Sequence, residues 1–321
     1  VLTAIVVPGK GRSRRSWWLA HVSLMRLDHS VKQLFVLPGA LVAWTLSGAT
    51  WSGRSVLHCL VGLVAVTCVA SSNYVLNEIL DAPFDRLHPT KCTRPAARGL
   101  IHVPLAYLQW LILGIAGLLL AGTGGQGVLI SCLALWCMGG VYNIPPVRTK
   151  DKPYLDVLSE SINNPLRFCV GWYLIAPSVI PPASALIFYW MLGAYFMSLK
   201  RFSEYRQIGP AVARLYRGSF AHYTEKSLLN SVVFYAAASM LFFGAFVMRY
   251  HLELVFGFPM IALLMSVYFD LAFENDSAVQ NPEKLLREPK LVILITSCVV
   301  LLVILLHAHM PWLEVAFPKS F

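Results

Sequence analysis

The apolar residues of this chain are not scattered. They gather into blocks of roughly 17–25, the length a helix needs to cross a bilayer. Nine such blocks stand out, at 33–50, 55–80, 103–121, 127–143, 157–175, 182–199, 229–248, 254–273 and 291–309. Hydrophobic residues make up 57% of the 321 and charged residues only 13%, about half the charged share of a soluble domain. Segments of this kind can bury their polar faces only against one another. The expected architecture is therefore all-α and polytopic, with one membrane domain spanning 1–321 and a basic cytoplasmic segment at 1–25. The opening VLTAIVVPGKGRSRRS has an apolar run too short for a secretory leader, and its basic cluster follows that run.

The formal charge of +10 could suggest nucleic acid in a soluble protein. In a membrane protein it reflects Lys and Arg collecting on the cytoplasmic side. With the N-terminus inside, only Arg54, Arg249 and Lys319 of the 26 Lys and Arg residues fall outside. This places the chain in the inner membrane with its C-terminus outside, its long charged connections in the cytoplasm, and no nucleic-acid partner. Six of the seven cysteines lie in apolar blocks, only Cys92 lies in a polar loop, and no CxxC pair occurs. They read as small core residues.

Two blocks carry polar residues at membrane depth, where such groups are costly and usually face a cavity. The second ends in NYVLNEILDAPFDRLHPTKCTRP. Asn73, Asn77, Asp81 and Asp85 recur every fourth residue, which stacks them on one helix face about 6 Å apart in rise. Pro83 is expected to disturb the last turn and splay Asp85 outward. Glu78 points off this face, which gives it a structural role. Two carboxylates and two amides at a membrane boundary suit a hard cation such as Mg²⁺, which leaves coordination places for substrate phosphates. Arg86, Lys91, Arg94 and Arg98 follow at once, placed to bind the outer phosphate oxygens. Ordinary ion pairs at a solvated helix end are the plainer alternative.

The stretch NEILDAPFD with HPTKCTRP resembles the first aspartate motif of the UbiA superfamily of intramembrane prenyltransferases. The resemblance implies nine helices around a central cavity, Mg²⁺–diphosphate binding by Asn77, Asp81 and Asp85, and phosphate neutralisation by Lys91 and Arg94. VYNIPPVRTKDKPYLD resembles the family's next motif, with Tyr142, Arg148, Lys150 and Asp156 in register. Asp156 opens a helix, so it either caps that helix or meets substrate. Glu160, Asn163, Asn164 and Arg167 form a polar stripe, either an interhelical hydrogen-bond network or part of the site.

A second aspartate motif is usual in the family after the sixth span. Here the chain reads LKRFSEYRQ, with Lys200 and Arg201 where acid is expected and Glu204 one turn on. Adjacent cations cannot ligate metal, but they can grip a phosphate that carries none; an inner-face anchor is the alternative. The KRxxE pattern, the RLDHSVKQLFVLPGAL entry with Arg26 and Lys32, and the late PEKLLREP loop resemble the decaprenyl-phosphate phosphoribosyltransferase branch. The implied donor is 5-phosphoribosyl-1-diphosphate (PRPP) and the implied acceptor a polyprenyl phosphate. A prenyltransferase using an isoprenoid diphosphate is the second expectation, and a non-catalytic transporter or lipid-binding protein the third.

Overall fold

The computed structural model describes residues 14–48, 53–274, 279–280 and 288–318. The described residues are helical and contain no strand. An in-turn N-terminal helix α1 (Arg14–Ser23) leads through a 3₁₀ stretch (Leu27–Val36) into α2 (Leu37–Ser47). Then come α3 (Gly53–Asp85), α4 (Val103–Thr123), α5 (Gln126–Asn143), α6 (Leu155–Ser161) and α7 (Asn163–Ile175). The second half contains α8 (Ala183–Tyr216), α9 (Glu225–Tyr250), α10 (Phe258–Leu271), α11 (Pro289–His307) and α12 (Pro311–Ala316).

Local chemistry sets several helix ends. Proline occupies the first turn of α2, α4, α10 and α11, where its missing N–H costs nothing. Thr224 and Ser227 form a capping box at the start of α9. The expected span 157–175 is instead divided into α6 and α7. Pro165 explains the division, since it has no N–H to give Ser161 and so removes a rung of the ladder there. In α8 the axis breaks at Gly209 (φ 76°, ψ 153°) directly before Pro210, a conformation open to glycine and rarely to other residues.

Seven described helical segments are long and apolar enough to cross a membrane by length and composition. The two other expected crossings correspond to α6–α7 and α8, so the expected number of nine is not established by this measure. The outward faces carry large apolar side chains, among them Leu119, Phe234, Leu241 and Ile180. The interior holds the polar groups, as hydrocarbon surroundings require.

Two of the three apolar clusters among the described residues make up most of the interior. One joins α3, α4, α5 and α7 through Val66, Val69, Cys132, Leu135 and Val170. The other joins α7 to α11 through Trp172, Tyr195, Phe202, Phe243 and Met265. α7 contributes to both, so it is the hinge of the packing between the halves. It also packs closely on α2. A Cβ on Gly171 would lie 1.9 Å from the Val36 carbonyl oxygen, and one on Gly39 would lie 2.0 Å from that of Phe168.

α3 and α8 both run beyond their expected apolar limits, to Asp85 and Tyr216. Their polar ends and the connections after α3, α5 and α8 meet at one end of the bundle. Because backbone opposes backbone at Gly171, Gly171→Ala is expected to destabilise the protein by about 2–3 kcal/mol. Gly122→Ala, with nothing within 4 Å of the added Cβ, is expected to be neutral or slightly stabilising. Thermal unfolding of the detergent-purified chain measures both.

Candidate active site

The four-residue spacing on α3 holds to its last residue, because the helix continues through Pro83. Asp85 is therefore not splayed outward as the proline suggested. It is fully buried, and its Oδ2 accepts a 2.6 Å hydrogen bond from Arg94. One turn earlier, Asp81 Oδ1 accepts from Arg148 at 3.0 Å and from Lys150. One turn earlier still, Asn77 donates to Asn143 Oδ1 at 2.6 Å. Glu78 turns away from this face, as expected. It accepts from the Ala96 backbone N–H and lies 3.9 Å from Arg26, which ties the basic loop to α3.

The second motif wraps over these residues. Arg148 (φ 25°) and Tyr154 (φ 64°) are non-glycine residues with positive φ, a costly conformation that persists only where surrounding bonds impose it. Arg148 donates to Asp151 at 2.7 Å, to the Asn143 carbonyl at 3.1 Å and to Asp81. The Tyr154 N–H donates to the Tyr223 hydroxyl at 2.5 Å. The turn between them buries Lys150, whose ammonium also donates to Asn143 Oδ1 at 2.7 Å. Burial pushes Lys150 down to about 8, with Asp81 opposing the shift and Arg148 adding to it. Burial also lowers Lys91, against the pull of Glu204. Asp81, Phe84, Arg148, Lys150, Asp151 and Arg217 line a small cavity at this point.

The third motif supplies the anchor. Arg201 is almost wholly buried and lies between three carboxylates. Glu160 is at 2.6 Å, Asp156 at 3.3 Å and Glu204 at 3.3 Å. It also donates to the Tyr142 hydroxyl at 3.1 Å, which in turn donates to Glu160 at 2.8 Å. Glu204 takes Lys91 at 2.5 Å, 113 residues away in sequence. Asp156 accepts from Tyr223 at 2.7 Å and Ser219 at 3.1 Å, with Arg217 at 3.7 Å. Its partners come from other elements, so it is an internal tie across the fold rather than a helix cap.

Most of the expected residues thus converge: Asn77, Asp81, Asp85, Lys91, Arg94, Tyr142, Arg148, Lys150, Asp156, Arg201 and Glu204. Asn73 does not join them through its amide, which donates to the Leu135 carbonyl at 2.9 Å and packs on Gly139. Arg167 binds Gln33 Oε1 at 2.9 Å and the Asn163 carbonyl at 3.3 Å. Lys32 and Lys200 are within electrostatic reach of Glu160. The late loop is outside the described residues across 281–287. Sequence reasoning missed Asn143, Arg217 and Tyr223. Only Asn143 had a signal, as an amide beside Tyr142 at the end of an apolar block.

The α3 donors suit a divalent cation in type, being all oxygen. Asp85 Oδ1 is buried with no hydrogen-bond partner, as an oxygen reserved for a ligand would be. Among the described residues no three His, Cys, Asp or Glu groups already converge at ligand distance. The donors therefore fit a cation that arrives with an anion able to take over Arg94, Arg148 and Lys150.

A helical membrane protein with an acidic helix end facing a basic loop is the class that these features define. Residues 34–288 match the UbiA prenyltransferase family, and the chain belongs to that family; it is a membrane-embedded transferase. Its fold is similar to a UbiA homolog from Archaeoglobus fulgidus bound to GPP and Mg²⁺, with TM-score 0.67, 20% identity, and 88% and 99% of the two chains covered. It is also similar to a UbiA homolog from Aeropyrum pernix, with TM-score 0.57, 14% identity, and 84% and 97% covered.

By sequence, the chain is 33% identical over 122 residues to decaprenyl-phosphate phosphoribosyltransferase of Corynebacterium glutamicum, covering 38% of this chain and 34% of that protein. It is 27% identical over 231 residues to the enzyme of the same name from Mycolicibacterium smegmatis, covering 70% and 68%. The first of these matches spans about a third of the relative's length.

Arg201→Gln would leave three inward carboxylates without their shared cation. It is expected to cost about 3–5 kcal/mol of stability, read as a large loss of melting temperature with no ligand present. A residue serving only as a substrate ligand would leave the ligand-free melting temperature unchanged.

Proposed function

We propose that this chain transfers 5-phosphoribose from PRPP to a polyprenyl phosphate of the decaprenyl type, releasing diphosphate in a Mg²⁺-dependent reaction. The observation that carries the reading is the chemistry of α8. Where a second metal-binding acid pair would serve an allylic diphosphate, α8 presents Lys200 and Arg201. Its one acid, Glu204, is held by Lys91 and Arg201. The names of the Corynebacterium and Mycolicibacterium relatives support the same choice.

In this reading Asp81 and Asp85, with Asn77, would hold the cation, which would supply positive charge against the leaving diphosphate. Arg94, Arg148 and Lys150 exchange their carboxylate partners for phosphate oxygens. Lys91, fixed by Glu204, adds charge at the mouth. Each of these donors stabilises charge that grows on the diphosphate as the C1–O bond breaks. The lipid phosphate oxygen forms the new bond to C1. That oxygen is already anionic, so no side chain has to remove a proton from it. Tyr142, Asp156, Glu160 and Arg201 act by holding the donors in place. Arg201, expected with Lys200 to grip a metal-free phosphate, serves in this reading as scaffold, which its three carboxylate contacts support. The lipid tail lies against the apolar outer faces, and the Lys and Arg distribution supports a site at the cytoplasmic face of the inner membrane.

A second reading is a prenyltransferase using an isoprenoid diphosphate. The fold shared with the Archaeoglobus homolog bound to GPP and Mg²⁺ favours it.

Purified protein with Mg²⁺, labelled PRPP and polyprenyl phosphate is expected to yield labelled lipid. Asp81→Asn and Asp85→Asn are each expected to lower kcat at least about 10²-fold. Diphosphate release from an isoprenoid diphosphate, with none from PRPP, would select the second reading. Full activity in both Asn variants would remove the α3 motif from either.

A further inference from the structure

We infer that Tyr223 is a positioning residue: its hydroxyl pins the turn over residues 148–154, and so keeps Arg148 and Lys150 aimed at the α3 site when they exchange partners. The inference rests on the proposed reading in which those two side chains take the diphosphate. Tyr223 acts through Tyr154 and Asp156 and needs no contact with substrate.

The turn needs an anchor because both of its ends are strained. Arg148 opens it at φ 25° and Tyr154 closes it at φ 64°, ψ −36°, where residues other than glycine are disfavoured. At the first end the holding bonds are those of Arg148 itself, to Asp81, Asp151 and the Asn143 carbonyl. In the proposed reading Arg148 and Lys150 leave Asp81 for phosphate oxygens, so part of that hold is given up as the site fills. At the second end the hold is the Tyr223 hydroxyl. A backbone N–H can only donate and a carboxylate can only accept. The hydroxyl therefore accepts from the Tyr154 N–H at 2.5 Å and passes its own hydrogen to Asp156 Oδ1 at 2.7 Å. Neither bond involves a group that the proposed exchange displaces.

The surroundings keep the hydroxyl in place. Tyr223 is fully buried and directly precedes Thr224, whose capping box starts α9. Its ring meets Phe220 edge-on at 6.3 Å, and Phe220 meets Tyr205 of α8 at 5.7 Å. The acceptor is fixed as well, because Asp156 Oδ2 takes Ser219 at 3.1 Å and lies 3.3 Å from Arg201. The same connection presses on the middle of the turn, where a Cβ on Gly218 would lie 2.9 Å from that of Asp151. Removing the hydroxyl leaves Asp156 its other partners but leaves the strained Tyr154 N–H unbonded. Tyr223→Phe isolates this one contact, since the ring and its burial are kept.

The test compares Tyr223→Phe with the wild type, both as purified full chains in detergent, by amide hydrogen exchange and by steady-state kinetics. In the ligand-free variant, exchange across residues 149–156 is expected to quicken about tenfold or more. The end of α3 keeps its wild-type protection, and the melting temperature falls by about 5 °C or less. With whichever diphosphate substrate the wild type consumes, kcat is expected to fall about 10–100-fold, with KM within about threefold. That split follows because the cation, Lys91 and Arg94 still bind the diphosphate while Arg148 and Lys150 lose their aim. Unchanged exchange in the turn overturns the inference, as does a loosened turn with unchanged kcat. A uniform rise in exchange with a large loss of melting temperature makes Tyr223 an ordinary core residue and also overturns it. If the wild type consumes neither PRPP nor an isoprenoid diphosphate, the proposed function fails by itself. Exchange in the turn needs no substrate, so it still decides whether Tyr223 is the anchor.

Discussion

A charge held away from water must find an opposite charge or a set of hydrogen bonds, because the apolar surroundings of a membrane helix supply neither. That constraint shapes one whole end of this protein. α3 carries two carboxylates at its end, α8 carries Lys200, Arg201 and Glu204 well inside its length, and the connections after α3 and α5 are strongly basic. None of these segments is satisfied alone. Arg201 gathers Asp156, Glu160 and Glu204, and Glu204 reaches across to Lys91. The two halves of the bundle are joined there by ionic contacts and at α7 by packing.

The pairing has a consequence for binding. With Asp81 held by Arg148 and Lys150, Asp85 by Arg94, and Asp151 also on Arg148, three carboxylates face three cations and the α3 site neutralises itself. A bare cation would have to displace basic side chains, and a bare diphosphate would have to draw them from carboxylates. In the proposed reading, a cation and a diphosphate entering together would offer each group a new partner, so both exchanges would proceed without exposing an unpaired charge. Buried ion pairs add little net stability over an apolar core. In the proposed reading their value lies in holding donors in position while remaining exchangeable.

Some of this was legible in the residues alone. The apolar blocks located the helices, the four-residue recurrence put Asn77, Asp81 and Asp85 on one face, and the family resemblance agrees with the match over residues 34–288. Local rules went astray where long-range contacts outweighed them. Pro83 does not displace Asp85, because Arg94 holds its carboxylate inside the fold. Asp156 sits where a cap is expected but serves Tyr223, Ser219 and the arginines. Arg201, grouped with Lys200 by adjacency, is turned into a different set of contacts, since neighbouring residues on a helix point about 100° apart.

The sequence by itself determined the membrane class, the helical architecture, the α3 donor face and the sign of the loops around it. Those properties depend on hydrophobic length, local spacing and net charge, all of which are read along the chain. Only the tertiary structure decided which cation meets which carboxylate, and that Asn143, Arg217 and Tyr223 belong to the site. These are contacts between residues tens to more than a hundred positions apart. They are selected by which combination leaves the fewest charges unsatisfied once the helices have packed, a quantity that no segment possesses alone.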